Sequence, residues 1–240
     1  MISPPMRRTV FWFTVLGALA FVLLPLLLVL HGAEPRTAFH AGLPALRPLP
    51  EASAYPAQLA RWRAARVNPR YSIALDKLVE RYRRHETVYR QIETMRRNGV
   101  PAPVLFALHY RESDADFSCH PHEGSPLSHR TRYVPKGRPT GDPPFTFLQS
   151  AEDAYYGYEH LEKRAWHEPG AVCYWSESFN GLGYLKRGRV SPYVWSGTDA
   201  YQRGKYVADG RYDPLFVDKQ LGVAAILFRL RERGIALAFD

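Results

Sequence analysis

The stretch PVLFALHYRES (residues 103–113) places a carboxylic acid at the end of an apolar helix. Pro103 fits the first turn, because its missing N–H would have no helical partner there. Leu105 and Leu108 share a face with Glu112 by helical periodicity. We therefore expect Glu112 to emerge at the end of a buried face, where desolvation raises its pKa and lets it hold a proton near neutrality. General acid catalysis needs such a group.

An uncharged run from Thr9 to Leu30 follows Arg7 and Arg8 at the N-terminus. About 20 helical residues cross a hydrocarbon core of roughly 30 Å. The run predicts a transmembrane signal-anchor in residues 1–33, and the positive-inside rule places the N-terminus in the cytoplasm and the rest in the periplasm or cell wall space. Cleavage after Ala33 is the alternative, but the only good A-x-A pattern, residues 18–20, lies in mid-run.

The part of the chain that follows the apolar run is basic. Two of the 32 basic residues precede the run, which leaves 30 basic residues against 23 acidic ones outside. A basic exterior suits an anionic polymer such as the cell wall, although nucleic acid or lipid headgroups would serve as well. Only the net charge points to nucleic acid, so we predict no nucleic-acid partner.

The remaining chain predicts a linker and one mainly α-helical domain. Residues 34–68 are rich in Pro and Ala and indicate a semi-rigid linker with a short helical segment at residues 58–65. The domain is expected to span residues 69–240. Its predicted helices are one from Asn68-Pro69 to Asn98-Gly99, the helix ending at Ser113, one capped at Ser150 with Asp153, one over residues 171–179 and one over residues 218–232.

The helical pattern disappears between Asp114 and Pro144, where Gly and Pro recur and basic side chains crowd together. A loop of this length in a compact domain is usually functional or disordered. We expect a functional loop beside the helix, with or without a short hairpin. Its histidines, with His109 and Cys119, are residue types that bind zinc, but their spacing lacks a second ligand pair. We therefore predict no metal and no cofactor.

Two cysteines, Cys119 and Cys173, lie on the predicted outer side, where disulfides can form. A disulfide between them and a pair of unrelated buried thiols are both open interpretations. A cysteine peptidase that uses a Cys–His pair is a weaker alternative, because neither cysteine has a recognisable flanking motif.

A glycine-bounded turn, NGLGY (residues 180–184), offers an amide and a phenol of the kind that bind sugars. An amide and a hydroxyl can hydrogen-bond a saccharide while an aromatic ring stacks on its face. Several polar aromatic residues follow the turn. They are equally compatible with a glycan groove and with ordinary core and surface positions.

Residues 104–113, ending in RES, and SFNGLGY (residues 178–184) together resemble the lysozyme-like domain of lytic transglycosylases, goose-type lysozymes and related phage lysins. VPKGRP (residues 134–139) and KYVADG (residues 205–210) are similar to a phage-associated branch of that superfamily. The resemblance covers about residues 100–230. The glycine-rich segment ending in Met-Gln that transglycosylases carry after their glutamate is missing between Asp114 and Pro144.

The resemblance implies a lysozyme-like α-helical fold that cleaves the β-1,4 bond between N-acetylmuramic acid and N-acetylglucosamine in peptidoglycan. It implies that Glu112 is the general acid, that Ser113 is an adjacent polar support, and that Asn180, Gly181 and Tyr184 bind the sugar. The expected partners are peptidoglycan strands and, through the N-terminal helix, the inner membrane. A larger envelope assembly is a further candidate partner.

The mechanism depends on whether a second carboxylate is present. Hydrolysis requires one beside the acid, whereas a transglycosylase manages with one acid while the 6-hydroxyl of the sugar closes an anhydro ring. The available carboxylates are Asp114, Asp116, Glu123 and Asp142, and Glu123 lies in the loop most expected to face Glu112. A non-catalytic peptidoglycan-binding scaffold that keeps a lysozyme-like fold is the alternative function.

Overall fold

The computed structural model describes residues 53–208 and 210–239. The predicted anchor (residues 1–33) and the first part of the predicted linker lie outside these residues. Among the described residues, no helix has the length and apolar character needed to cross a bilayer.

The described part of the chain is mainly helical, as predicted. Its helices are α1 (Tyr55–Ala64), α2 (Ser72–Thr94), α3 (Ala102–Ser113), α4 (Phe147–Glu152), α5 (Pro169–Phe179), α6 (Pro192–Trp195) and α7 (Val223–Glu232). A π-helical segment, Asp153–Tyr158, continues α4. Two short strands, β1 (Lys205–Ala208) and β2 (Arg211–Asp213), pair antiparallel.

Helix α3 lies at the centre of the core, packed against α2 and α7. Every residue from Ala102 to His109 is buried, which confirms the predicted apolar helix. The helix ends at Ser113, as expected, and Asp114 follows in the left-handed conformation with its N–H bonded to the carbonyls of His109 and Tyr110. This cap satisfies carbonyl groups at the helix end and turns the chain into the long loop.

Helix α1 belongs to the folded core, although the sequence assigned its residues to the linker. The Trp62 ring lies 4.3 Å from that of Phe228 in α7, centroid to centroid. The buried Gln58 amide donates a hydrogen bond to Glu177 of α5 at 3.1 Å. Residues 53–239 therefore include one continuous hydrophobic core that begins in α1, before the predicted boundary at residue 69.

Two other predicted helix starts differ from the structure. Helix α4 begins one turn before Ser150, because Thr146 forms a capping box with Gln149. Helix α7 begins at Val223 rather than at residue 218. The N–H of Gly222 donates to the Ser196 carbonyl at 2.7 Å, which holds the preceding segment extended against the end of α6.

Residues 114–146 form the predicted long irregular loop, and within it only an isolated bridge pairs Cys119 with Pro126. The hairpin of the described region, β1–β2, lies instead near the C-terminus. The bridged loop turns onto the end of α3: a Cβ atom added at Gly124 would lie 3.5 Å from the Glu112 carbonyl oxygen. Gly124 has a φ of +81°, a conformation that favours glycine.

Replacing Trp62 by Ala tests whether α1 is part of the core. We expect the free energy of unfolding to fall by roughly 3 to 5 kcal/mol, because the change removes a buried aromatic side chain and leaves a cavity. Arg63→Ala, at an exposed position of the same helix, is the control and should change stability little. Equal stability of the two variants in urea unfolding would contradict the assignment of α1 to the core.

Candidate functional site

The Glu112 carboxyl is buried at the C-terminal end of α3, with the residue 3% exposed. Its Oε1 accepts a hydrogen bond of 2.6 Å from the Tyr193 hydroxyl. Burial raises the pKa of Glu112 to about 8, although the Tyr193 hydrogen bond and the charge of Arg111 both lower it. Glu112 is therefore mostly protonated at neutral pH, as the sequence pattern predicted.

Tyr193 reaches Glu112 from the short helix α6, where it is buried. The Arg111 guanidinium lies over its ring, 4.7 Å from the centroid. Arg111 also pairs with the buried Asp218 at 3.1 Å, and Lys205 of β1 pairs with the same Asp218 oxygen at 3.2 Å. These contacts connect Glu112 to the hairpin through Tyr193 and a buried ion-pair network.

Glu159 is the carboxyl group whose charge raises the pKa of Glu112. It is half-buried, directly after the π-helical segment, and burial raises its own pKa to about 7. Tyr155, in the same segment, is fully buried. Burial raises the pKa of its hydroxyl, and the charge of Glu112 raises that pKa further. Sequence analysis did not select Glu159, because a single carboxylate after a helix carries no distinguishing local signal.

Glu123, the expected second carboxylate, lies in the loop that turns onto α3, as predicted. It is buried, and its Oε1 accepts a hydrogen bond from the Ser125 N–H at 3.2 Å, so this oxygen stabilises the loop itself. The other sequence candidates are surface groups with local partners. Asp114 caps α3, Asp116 accepts two hydrogen bonds from Ser118, and Asp142 pairs with Arg130.

The hydroxyl of Ser113 donates back to the His109 carbonyl at 3.4 Å, along its own helix. This contact does not involve the Glu112 carboxyl, so the expected polar support comes from Tyr193 instead. Serine hydroxyls commonly bond to the preceding turn of a helix in this way.

Hydrogen bonds to α5 and to β1 stabilise the turn at residues 180–184. Gly181 has a φ of +84°, and the buried Glu177 carboxylate accepts from the Leu185 N–H at 2.9 Å. Tyr184 is 3% exposed and accepts a hydrogen bond from the Tyr206 N–H at 2.9 Å, so its ring supports β1 and presents no open face for stacking. Asn180 is half-buried at the C-terminal end of α5, where its N–H donates to the carbonyls of Glu177 and Ser178.

The histidines around the loop bind protein groups. His109 is fully buried between the Tyr89 hydroxyl and the Asp116 carbonyl, and burial lowers its pKa to about 3. His120 contacts the Ser150 hydroxyl and the His129 carbonyl, and His122 pairs with Asp153 at 2.9 Å. Across residues 53–208 and 210–239, no group of three or more His, Cys, Asp or Glu side chains could hold a metal ion.

Cys119 and Cys173 are free thiols, so of the two interpretations the disulfide is wrong. Cys173 is buried inside α5, whereas Cys119 lies in the loop with its Sγ 3.6 Å from an Asp116 oxygen. Burial raises the pKa of both thiols. Protonated thiols are poor nucleophiles, which disfavours the cysteine peptidase alternative.

Two surface cavities lie away from Glu112. One of about 730 Å³ is lined by residues 73–84 of α2, and one of about 290 Å³ lies between α1 and α7 beside Trp62. Neither cavity includes Glu112, which is 3% exposed.

Comparisons of the chain with protein-family models, with curated proteins and with solved structures find no match. The resemblance to lysozyme-like domains therefore depends on the motifs quoted above.

Replacing Tyr193 by Phe tests the hydrogen bond at Glu112. We expect the pKa of Glu112 to rise above that of the parent protein, because the change removes a donor that stabilises the carboxylate. Carbon-13 NMR titration of the glutamate carboxyl groups measures it. Tyr184→Phe, whose hydroxyl contacts Tyr206 and not Glu112, is the control and should leave this titration in place.

Replacing Glu112 by Gln tests the raised pKa through stability. The folded-state pKa of about 8 lies above 4.5, the ordinary pKa of a glutamate, so stability from protonated Glu112 is full below pH 4.5 and is lost as the pH rises through 8. We expect the variant to gain stability relative to the parent across that window, by up to about 5 kcal/mol at the full shift. A constant difference between the two urea-unfolding free energies from pH 5 to pH 9 would contradict the burial of a neutral acid.

Proposed function

We propose that the described domain is a lysozyme-like peptidoglycan glycosidase, which cleaves the β-1,4 bond between N-acetylmuramic acid and N-acetylglucosamine with Glu112 as general acid. The observation that carries the proposal is a buried, protonated carboxyl group at the end of the central helix α3. A general acid must hold its proton at working pH, and Glu112 meets that requirement. The mainly helical fold and the motifs around residues 112 and 180 support it.

In the proposed reaction, Glu112 donates its proton to the glycosidic oxygen as the bond to the sugar carbon breaks. The donation leaves a carboxylate in a site with little water. The Tyr193 hydroxyl, 2.6 Å from Oε1, and the positive charge of Arg111 both favour that charged form. Their positions are set before the reaction, so stabilising the new charge requires no large rearrangement.

The fate of the sugar defines two forms of the proposal. In a transglycosylase, the Glu112 carboxylate takes the proton of the 6-hydroxyl as the anhydro ring closes, and the acid is restored. In a hydrolase, a second carboxylate acts on the sugar or on a water molecule. Glu159 is the structural candidate for that role because its charge acts on Glu112, whereas an oxygen of Glu123 binds its own loop.

The proposed cellular setting follows from the predicted N-terminal anchor. It would hold the domain at the outer face of the inner membrane, next to the peptidoglycan. A single membrane-tethered glycosidase of this kind suits local cutting of the wall rather than its general breakdown, either alone or within a larger envelope assembly.

One observation favours the second candidate function, a non-catalytic peptidoglycan-binding scaffold. Glu112 is 3% exposed, and neither large surface cavity reaches it. A scaffold would use the basic exterior to bind the wall and would leave the carboxyl group as a buried core residue. The two functions differ in whether wall fragments are released.

The decisive experiment incubates purified peptidoglycan with residues 53–240 and with its Glu112→Gln variant, followed by mass analysis of released muropeptides. We expect the variant to lose at least about 100-fold in rate, the usual size of a general-acid contribution. Glu152→Gln is the matched control, since that carboxylate pairs with Arg96 on the surface of α4 and should not affect cleavage.

Each outcome has a defined meaning. Products lighter by one water, the 1,6-anhydro sugars, indicate a transglycosylase, whereas reducing-end products indicate a hydrolase and make Glu159→Gln the next variant. Unchanged cleavage by Glu112→Gln would reject Glu112 as the acid. Binding of peptidoglycan without cleavage by any protein, including the parent, would favour the scaffold.

A further inference from the structure

Three consecutive apolar residues project from the surface directly after β2. Leu215, Phe216 and Val217 are 67, 45 and 36% exposed, whereas most large apolar side chains of the described region are buried. Single exposed apolar residues are common on protein surfaces, but a contiguous apolar patch marks an interaction site.

The backbone of this segment is fixed, so the exposure is a property of the fold. The Asp213 carboxylate accepts hydrogen bonds from the N–H groups of Leu215 and Phe216, at 2.8 and 3.2 Å. The Phe216 carbonyl accepts from the Gly204 N–H at 2.7 Å, next to β1. These bonds hold the apolar side chains outward and reduce the entropy that a partner must overcome on binding.

Basic side chains are concentrated on the hairpin, on the segments that flank it and on the turn before it. The Arg189 guanidinium stacks on Tyr212 at 3.6 Å from the ring centroid, and the Lys205 ammonium lies 5.9 Å from the Phe216 ring. The exposed members are Lys186, Arg187, Arg189, Arg203, Arg211 and Lys219. Together with Leu215, Phe216 and Val217 they form what we call the hairpin surface.

The acidic groups near this surface in the described residues are fewer than its basic ones. Asp213 keeps its negative charge while its carboxylate accepts hydrogen bonds from the backbone of the apolar segment. Asp218 is buried and already pairs with Arg111 and Lys205. The hairpin surface therefore combines an apolar centre with a basic rim.

We propose that the hairpin surface docks on a lipid bilayer that carries anionic headgroups. Leu215 and Phe216 enter the boundary between headgroups and acyl chains, and the basic rim pairs with lipid phosphates. The exposed aliphatic side chains of Leu215 and Val217 offer a glycan neither a hydrogen-bonding group nor an aromatic ring, which favours lipid over wall polymer. The predicted anchor in residues 1–33 would also place a bilayer within reach, since the chain from residue 31 to residue 53 spans at most roughly 75 Å.

The test measures co-sedimentation of residues 53–240, which contain the whole described core, with vesicles. One set contains equal parts of phosphatidylglycerol and phosphatidylcholine, and the other phosphatidylcholine alone. We expect binding to the anionic vesicles that weakens in 0.5 M salt, because salt screens surface charge. Cleavage of peptidoglycan plays no part in the measurement, so its result is independent of the proposed enzymatic function.

Two pairs of variants separate the apolar and the basic contributions. Leu215→Ser with Phe216→Ser should lower the partition constant at least tenfold, whereas Ile73→Ser with Tyr133→Ser, exposed elsewhere, should leave it unchanged.

Arg189→Gln with Arg211→Gln should lower the partition constant by roughly fivefold per charge. Arg84→Gln with Arg97→Gln, exposed on or just beyond α2, is the charge-matched control.

The proposal is rejected if the parent fragment does not sediment with anionic vesicles. It is also rejected if the Leu215/Phe216 double variant binds as well as the parent, because charge alone would then explain the binding. Binding of soluble polyglutamate that competes fully with the vesicles and is equally lost in the Leu215/Phe216 variant would indicate an acidic protein partner instead. Thermal melts by circular dichroism confirm that each variant is folded.

Discussion

The structure of the site depends on the burial of the Glu112 carboxyl group at the end of α3. A carboxyl group with 3% exposure is costly to ionise, so burial raises the pKa of Glu112 to about 8 and keeps the group neutral. A neutral acid still needs a hydrogen-bond partner when water is excluded. Tyr193 supplies it, and α6, which carries Tyr193, is correspondingly held in the core beside α7.

The second constraint is the pairing of the charges next to that neutral acid. Arg111 is buried and adjacent to Glu112, and an unpaired guanidinium there would be strongly destabilising. Asp218 neutralises it, and Lys205 completes the network from β1. The segment before α7 supplies Asp218 to this network, which joins it to Arg111 near the end of α3. It also fixes the hairpin relative to the site, so that a surface on the hairpin has a defined orientation to Glu112.

The features that sequence analysis predicted are those with local causes. Helix α3, the irregular loop and the raised pKa of Glu112 follow from apolar periodicity, from Pro and Gly positions, and from the place of one acid at the end of a buried face. The features that it missed depend on distant partners. Gln58 is separated by 119 positions from Glu177, and Tyr193 by 81 from Glu112. Strands of four and three residues joined through an irregular register are too short to show alternation.

The combination of burial and donors at Glu112 bears on why a carboxyl group is present at all. If position 112 served packing alone, an apolar side chain of similar size would satisfy it at no cost in desolvation, and such replacements of buried polar groups are often neutral or stabilising. The carboxyl group instead has a hydroxyl donor at 2.6 Å and a neighbouring positive charge, both of which favour its ionised form. Burial favours the protonated form more strongly, so the acid rests neutral with the means to stabilise its conjugate base already in place. This balance is what proton donation requires, so the site fits the proposed general-acid role of Glu112 better than a purely structural one.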